Sequence, residues 1–136
     1  MNSFPLKIVT PDGLEFDGMA EQVTVRTTSG DIGVMAGHMN CVAPLGMGQA
    51  TIVTEGQRRN AAAIGGMLSV LDGKVTLVCT TFEWAEEIDV DRVLVSEKRA
   101  QKILSDKTSS DTDIRLAEAR LKRALIRKNV AGNKPM

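Results

Sequence analysis

Apolar and polar residues alternate through "EQVTVRT", which sets Val23 and Val25 on one face, the period of a half-buried strand. The same alternation runs through "MLSVLDGKVTLVCTT" on both sides of Asp72-Gly73. Leu68 and Val70 precede the pair, and Val75, Leu77 and Cys79 follow it. Asp-Gly tolerates the positive φ angles of a type I′ turn, whose twist matches that of a two-residue hairpin. Further turn signals stand at Pro11-Asp12-Gly13, Asp17-Gly18, Ser29-Gly30, Gly46/Gly48, Glu55-Gly56 and Gly65-Gly66. Short strands at such intervals predict a sandwich or barrel.

The pattern changes near residue 88. After Gly73 the next glycine is Gly132, and the only later proline is Pro135. A first helix is expected from Asp89, with Asp89 and Asp91 at its positive end and Val90, Val93, Leu94, Ala100, Ile103 and Leu104 as its apolar stripe. Ser105–Thr112 reads as a polar loop, and Ser110 with Asp113 as a capping box. A second helix carries Ile114, Ala117, Leu121, Ala124 and Leu125 on one face. One stripe on each helix predicts an antiparallel hairpin, weakly held because Ala and Val bury little area. The expected class is therefore α+β: an all-β sandwich over residues 1–88, then a two-helix hairpin over 89–136.

Charge sharpens this division. The 136 residues sum to a net charge of zero. Residues 1–88, however, carry five Lys/Arg against ten Asp/Glu, and residues 89–136 carry twelve against seven. Parts of opposite sign suggest different partners. No apolar run approaches the roughly 18 residues that span a bilayer. "MNSFPLKIVTPDG" has neither the basic-then-apolar order of a secretory signal nor the Arg-rich amphipathic character of a transit peptide. The expectation is a cytosolic protein, or one held at a membrane by its partners. Cys41 and Cys79 form no CxxC and are expected to be reduced thiols.

Chemistry of its own is hard to find. "SGDIGVMAGHMNCVAPLGMG" (residues 29–48) holds five glycines, the single histidine and one cysteine. It lacks the Gly-Lys-Ser/Thr of a phosphate loop, since no lysine lies between Lys7 and Lys74. Its glycine spacing is not that of a dinucleotide fingerprint. His38 and Cys41 are too few ligands for zinc, and nothing marks an orienting group for a Cys-His nucleophile. Turns and packing explain the stretch better. Glu83, Glu86, Glu87, Asp89 and Asp91 crowd around Trp84 and read as a solvated linker and an acidic helix start rather than catalytic carboxylates. The second helix is basic, through Arg115, Arg120, Lys122, Arg123, Arg127 and Lys128. Nucleic-acid binding is disfavoured, because this part has no aromatic residue for stacking and the acidic first part repels phosphate. A membrane-surface helix would carry larger apolar residues. An acidic protein surface and plain solvent both remain open.

The motifs "LKIVTPDGLEFDG", "TTSGDIGVMAGHMNCVAPLGMG", "AAAIGGMLSVLDGKVTLV", "EWAEEIDVDR" and "IRLAEARLKRALIRKNV" occur in an order that resembles the ε-subunit family of bacterial F-type ATP synthases. The resemblance spans nearly the whole chain. It implies a non-catalytic subunit, peripheral at the cytoplasmic face of the bacterial membrane and touching that membrane only through the complex. The sandwich would bind the central-stalk γ subunit and the c-ring, coupling ring rotation to ATP synthesis. Asp31 would face the ring, and His38 would lie near γ. The hairpin, when extended toward the catalytic α/β subunits, would oppose ATP hydrolysis. No cofactor is required, but some family members bind ATP as a regulatory ligand through a motif I-D-x-x-R-A. Here it reads Ile88-Asp89-Val90-Asp91-Arg92-Val93, with valine where the motif has alanine, a larger side chain expected to crowd the nucleotide. The resemblance assigns Glu83, Asp89, Arg92, Arg123 and Arg127 to ATP, with Trp84 expected to report its binding.

Overall fold

A computed structural model describes residues 2–132. Eight strands come first: β1 (Phe4–Thr10), β2 (Gly13–Ala20), β3 (Gln22–Thr27), β4 (Gly30–Met35), β5 (Cys41–Pro44), β6 (Met47–Thr54), β7 (Gln57–Leu71) and β8 (Lys74–Trp84). A 3-10 turn (Ala85–Glu87) leads to the helices α1 (Val90–Ser105) and α2 (Asp111–Gly132). Residues 133–136 of the expected hairpin lie outside the described residues.

The strands form one ladder, β2-β1-β8-β7-β6-β3-β4, with β5 added to the far half of β7. β1 and β8 run parallel; the other pairs are antiparallel. The sheet doubles over because β7 and β8 belong to both layers. In β7 the inward residues are Ala61 and Ala63, then Leu68 and Val70. In β8 they are Val75, Leu77 and Cys79, then Phe82 and Trp84. Each strand changes phase once, at the same level, which turns its inner face through a corner. That corner needs glycine. Gly65 and Gly66 have φ of 70° and 115°, and a Cβ on Gly66 would lie 1.8 Å from the carbonyl oxygen of Val78. One layer is thus β5, the end of β7, the start of β8, β1 and β2. The other is the end of β8, the start of β7, β6, β3 and β4. Phe4, Leu6, Ile8, Val23, Val25, Val34, Ile52, Leu68 and Leu77 fill the space between.

The Asp72-Gly73 hairpin forms as the pattern predicts, with φ of 50° and 80° at its two turn residues and the pairs Leu68↔Leu77 and Val70↔Val75 both buried. Three expected turns are not turns. Asp17-Gly18 lies within β2, Gly65-Gly66 lies within β7, where the glycines bend a strand instead of ending it, and Gly46/Gly48 falls where β5 passes into β6 without reversing, both running antiparallel to successive parts of β7. Both cysteines are free, as expected.

The helices form the expected hairpin, with a shorter connection. α1 runs through Ser105 and α2 starts at Asp111. Asp106 Oδ1 accepts from the Thr108 amide at 2.9 Å and the Thr108 hydroxyl at 2.7 Å, which tightens the loop and holds the Asp106 carboxyl below the usual range. The capping box is present: Asp113 N–H donates to Ser110 Oγ at 3.1 Å, and Ser110 N–H donates to Asp113 Oδ2 at 3.4 Å. The buried seam is narrower than the expected stripes. Val93 and Ala100 on α1, and Ala117, Ala124 and Ala131 on α2, repeat every seven residues and are buried. Val90, Leu94 and Leu125 fall beside that row and stay exposed. α2 covers the outer face of the second layer, where Ala62, Ala85, Ile88, Val93, Ala124, Val130 and Ala131 form a separate small cluster.

Candidate functional site: an arginine cleft and an opposite apolar row

Two adjoining clefts open along the hairpin, one between its helices and one where it meets the sheet. The larger, about 810 Å³, is lined by Asp89, Asp91, Arg92, Val95 and Ser96, together with Arg99, Arg120 and Arg127. The smaller, about 390 Å³, adds Glu83, Thr81, Ile64, Arg123 and Ala124 and shares Ser96, Arg120 and Arg127. Helix spacing produces this convergence. Arg92, Ser96 and Arg99 stand at i, i+4 and i+7 on α1, and Arg120, Arg123 and Arg127 at i, i+3 and i+7 on α2, so each set faces one side of its helix.

The sequence-derived residues meet here with distinct tasks. Glu83 leaves the outer face of β8 and takes Arg127 in a two-point contact, Nη2 donating to Oε2 at 2.9 Å and Nε lying 2.7 Å from Oε1. The first is a directed hydrogen bond. The second is a close charge contact off the N–H direction, since Nε is buried and makes no directed bond. Asp89 is the N-cap of α1: its Oδ1 accepts from Arg92 N–H at 3.1 Å. Arg123 Nε donates to Ala119 O within its own helix at 3.4 Å. Among the described residues, Arg92, Arg99 and Arg120 have no carboxylate partner.

Arg99 and Arg120 were missed by the sequence reading as cleft residues. Their signal was the seven-residue spacing from Arg92 and Arg127. Val93 does not crowd the cleft: its side chain is fully buried in the small helix–sheet cluster and lines neither opening. Trp84 also differs from expectation. Neighbouring residues of a strand point to opposite faces, so while Glu83 faces the cleft, Trp84 lies in the sandwich core, edge-on to Phe16 and Phe82.

Four guanidinium groups line the larger opening and Arg123 adds a fifth in the smaller one, a set that suits a multiply charged anion, gripped by charge-assisted hydrogen bonds. Glu83, Asp89, Asp91, Ser96 and Thr81 supply acceptors for the donors of an attached polar group. No cluster of metal-ligating side chains occurs among the described residues.

Asp31 and His38 lie at opposite ends of β4. Asp31 pairs with its cross-strand partner Arg26 at 2.8 Å, both well exposed. Gly48 allows this, because a Cβ there would lie 2.8 Å from Arg26 Cβ. His38 sits in the β4–β5 loop with Nδ1 2.8 Å from Met39 O.

The outer face of the first layer carries a second feature. The direct cross-strand partners Pro44↔Met67, Met67↔Val78, Val78↔Val9 and Val9↔Leu14 share one face. They make an apolar row across five strands. Met67, Val78 and Leu14 in it are 41%, 48% and 57% exposed. An apolar row of that length on a solvent face marks a contact surface. It lies on the side of the sandwich away from the hairpin. No helix among the described residues is long and apolar enough to cross a membrane.

Comparison with known proteins accounts for the two-part design. Residues 3–85 match the family model for the β-sandwich domain of the ATP synthase delta/epsilon chain, and residues 86–132 match its long α-helix domain. The ATP synthase epsilon chain of Bacillus velezensis is 46% identical over 98% of this chain and 100% of its own length. That of Ruminococcus albus is 41% identical over 98% and 100%. A chain of the Euglena gracilis mitochondrial ATP synthase structure shares the fold at a TM-score of 0.82 and 22% identity, over 93% of this chain and 80% of that one. With nearly the full length matched in both parts, this chain belongs to the epsilon-chain family of the F-type ATP synthase.

Proposed function

We propose that this chain is a non-catalytic central-stalk subunit whose sandwich joins the γ subunit to the c-ring. Its hairpin is a detachable brake on ATP hydrolysis, and ATP bound in the arginine cleft favours the docked hairpin. The chain works on the cytoplasmic side of the bacterial membrane and touches that membrane only through the complex. The apolar row over β5, β7, β8, β1 and β2 supports a broad contact with the stalk, while Asp31 and His38 serve as contacts at the two ends of β4.

The observation that carries the switch is the composition of the hairpin's seat. Apart from Ala62, the outer face beneath α2 is largely polar: Thr51 donates to Asn60 Oδ1 at 2.9 Å, and Gln49 donates to both residues. These bonds lie within the sheet, so lifting the hairpin leaves them made. The small apolar area beneath α2 keeps the docked and undocked states within a few kcal/mol, the range a ligand or partner can reverse.

Charge supplies the link to ATP. Five arginines from two helices repel one another when α1 and α2 lie side by side, as they do in the docked hairpin, and a polyphosphate between them reverses that repulsion. A ligand that binds the docked state alone stabilises it by RT ln(1 + [L]/Kd). Arg92, Arg99, Arg120, Arg123 and Arg127 would hold the phosphates; Asp89 supports the site by fixing the start of α1.

ATPase assays of the assembled complex with and without residues 89–136 test the brake. Deletion is expected to preserve assembly and raise hydrolysis, most at low ATP. Equal restraint without the hairpin removes the proposal.

A further inference from the structure

We infer that Ser96 is a phosphorylation site: a phosphoryl group on its hydroxyl places an anion covalently in the arginine cleft and holds the hairpin closed with no nucleotide present. This rests on the reading of the cleft as an anion site, and replaces a diffusing ligand by one attached to the chain.

Ser96 is half-buried and borders both openings of the cleft. Arg92 stands one turn before it and Arg99 one turn after, on the same side of α1, while Arg120 and Arg127 reach the larger opening from α2. Arg123 joins through the smaller opening. The carboxylates on the rim are Glu83, Asp89 and Asp91, and the first two are engaged, by Arg127 and by the Arg92 amide. Arg92, Arg99 and Arg120 have no carboxylate partner among the described residues and remain for a further anion. A phosphoserine carries a charge of about −1.5 to −2 and three acceptor oxygens, enough for one to three charge-assisted hydrogen bonds in an arginine cluster. Helical side chains lean toward the N-terminus, so the group would lie over the turn that bears Arg92. Arg120 and Arg127 join it only while α1 and α2 lie side by side. The covalent anion therefore favours the closed hairpin over separated helices.

The step needs a protein kinase, with a nucleoside triphosphate as its co-substrate. Ser96 Oγ attacks the γ-phosphorus and forms the Oγ–P bond. The bond from that phosphorus to the β–γ bridging oxygen breaks, the nucleoside diphosphate leaves, and the hydroxyl proton passes to the kinase's carboxylate base. Separation of the helices uncovers Ser96, so the open hairpin is the substrate and the closed hairpin is the product.

The full chain with phosphoserine encoded at position 96 tests the effect. Without nucleotide, amide exchange over α1 and α2 is expected to slow about tenfold, the worth of one hydrogen bond to a charged group. Unchanged protection in β1, β3, β6 and β8 reports that the sandwich is folded. Arg99→Ala and Arg120→Ala together should abolish the slowing. Exchange that is unchanged or faster with phosphoserine, or slowing that survives the double substitution, overturns the proposal.

Calorimetry with ATP separates the two readings of the cleft. If the original protein binds ATP, the phosphoserine protein should bind it at least several-fold more weakly, because the arginines are occupied; equal affinity overturns the placement of the phosphate. If the original takes up no ATP at millimolar concentration, the ATP reading falls, and amide exchange still decides the role of Ser96. Mass spectrometry of the complex isolated from its own cells should find phosphate on the tryptic peptide 93–98, whose only hydroxyl is that of Ser96. Its absence there overturns the modification.

Discussion

The guanidinium carbon of Arg59 sits 3.7 Å from the centre of the Trp84 ring, and its Nη2 donates to Glu86 Oε1 at 2.9 Å. Arg59 thereby closes the end of the sandwich where the chain leaves for the hairpin. The stacked cation favours the buried ring, and the ion pair fixes the 3-10 turn that carries Ala85 and Ile88 into the hairpin's seat. Arg59→Ala is expected to shift Trp84 emission to longer wavelength and to cost about 1–2 kcal/mol in a denaturant melt. Titrating ATP into the original protein should leave that emission nearly still, because the ring faces the core. A large nucleotide-dependent change would mean that the ligand reaches the sandwich interior.

Asp89 was assigned to the nucleotide by its motif, but its geometry is that of a helix cap. Asp89→Ala is expected to destabilise α1 by about 1 kcal/mol, the usual worth of an N-cap. Asp89→Asn, which still accepts from Arg92 N–H, should retain most of that stability. If the carboxylate serves only as a cap, ATP affinity follows helicity, and the asparagine variant binds nearly as well as the original. Loss of binding in Asp89→Asn with helicity intact would instead place the charge itself in ligand contact.

Much of this molecule was legible from residue order, and the exceptions have physical causes. Strict alternation placed Val23, Val25, Leu68 and Val75 inward, because a strand with one buried face has no other solution. Gly65-Gly66 misled because a double glycine signals positive φ, which a bent strand uses as readily as a turn. The helix stripes were read slightly too wide because pattern alone cannot place the edge of a buried seam: Ile103, Leu104, Ile114 and Leu121 are half-buried beside it, whereas Val90, Leu94 and Leu125 are exposed. In the cleft, Glu83 and Arg127 are 44 residues apart, and no local rule pairs them. Arg99 carried no assignment and Arg120 counted only among the basic residues of the second helix until the antiparallel hairpin set one helix's arginines against the other's. The apolar row across five strands was invisible for the same reason, since it exists only through cross-strand register.

Cys79 gives the sandwich an alkaline limit. Burial, with a smaller contribution from the Glu15 charge, pushes its thiol up to about 11. The unfolded thiol ionises near 8.5–9, so between that pH and about 11 the unfolded chain releases a proton that the folded chain keeps. Stability is therefore full below pH 8.5–9 and falls as pH rises toward 11, by on the order of 2–3 kcal/mol in total. Cys79→Ala should flatten that part of the pH–stability curve, apart from the cost of the smaller side chain. At neutral pH, iodoacetamide should modify the half-buried Cys41 and spare Cys79 until denaturant is added. Equal labelling of both in the folded protein would show that the core opens readily.

Ala62 tests whether the hairpin can leave without the sandwich unfolding. It projects from β7 into the small cluster with Val93 and Ala124, while its neighbours Ala61 and Ala63 face the main core. Ala62→Leu puts three extra carbons into the seam but adds nothing to the interior. Overpacking of this kind costs about 1–3 kcal/mol. Here it falls on docking alone, because α2 can move away from a rigid sheet. The expected result is rapid amide exchange over α1 and α2, unchanged protection in β1, β3, β6 and β8, and weaker ATP binding in proportion to the lost docked fraction. Ala61→Leu is the control, since the same enlargement toward the interior should destabilise the strands themselves. In the assembled complex, the brake reading requires Ala62→Leu to deepen inhibition of hydrolysis, because a hairpin that docks poorly is free to extend. Hydrolysis that instead rises to the level of the hairpin deletion would mean that the docked hairpin is the inhibitory form.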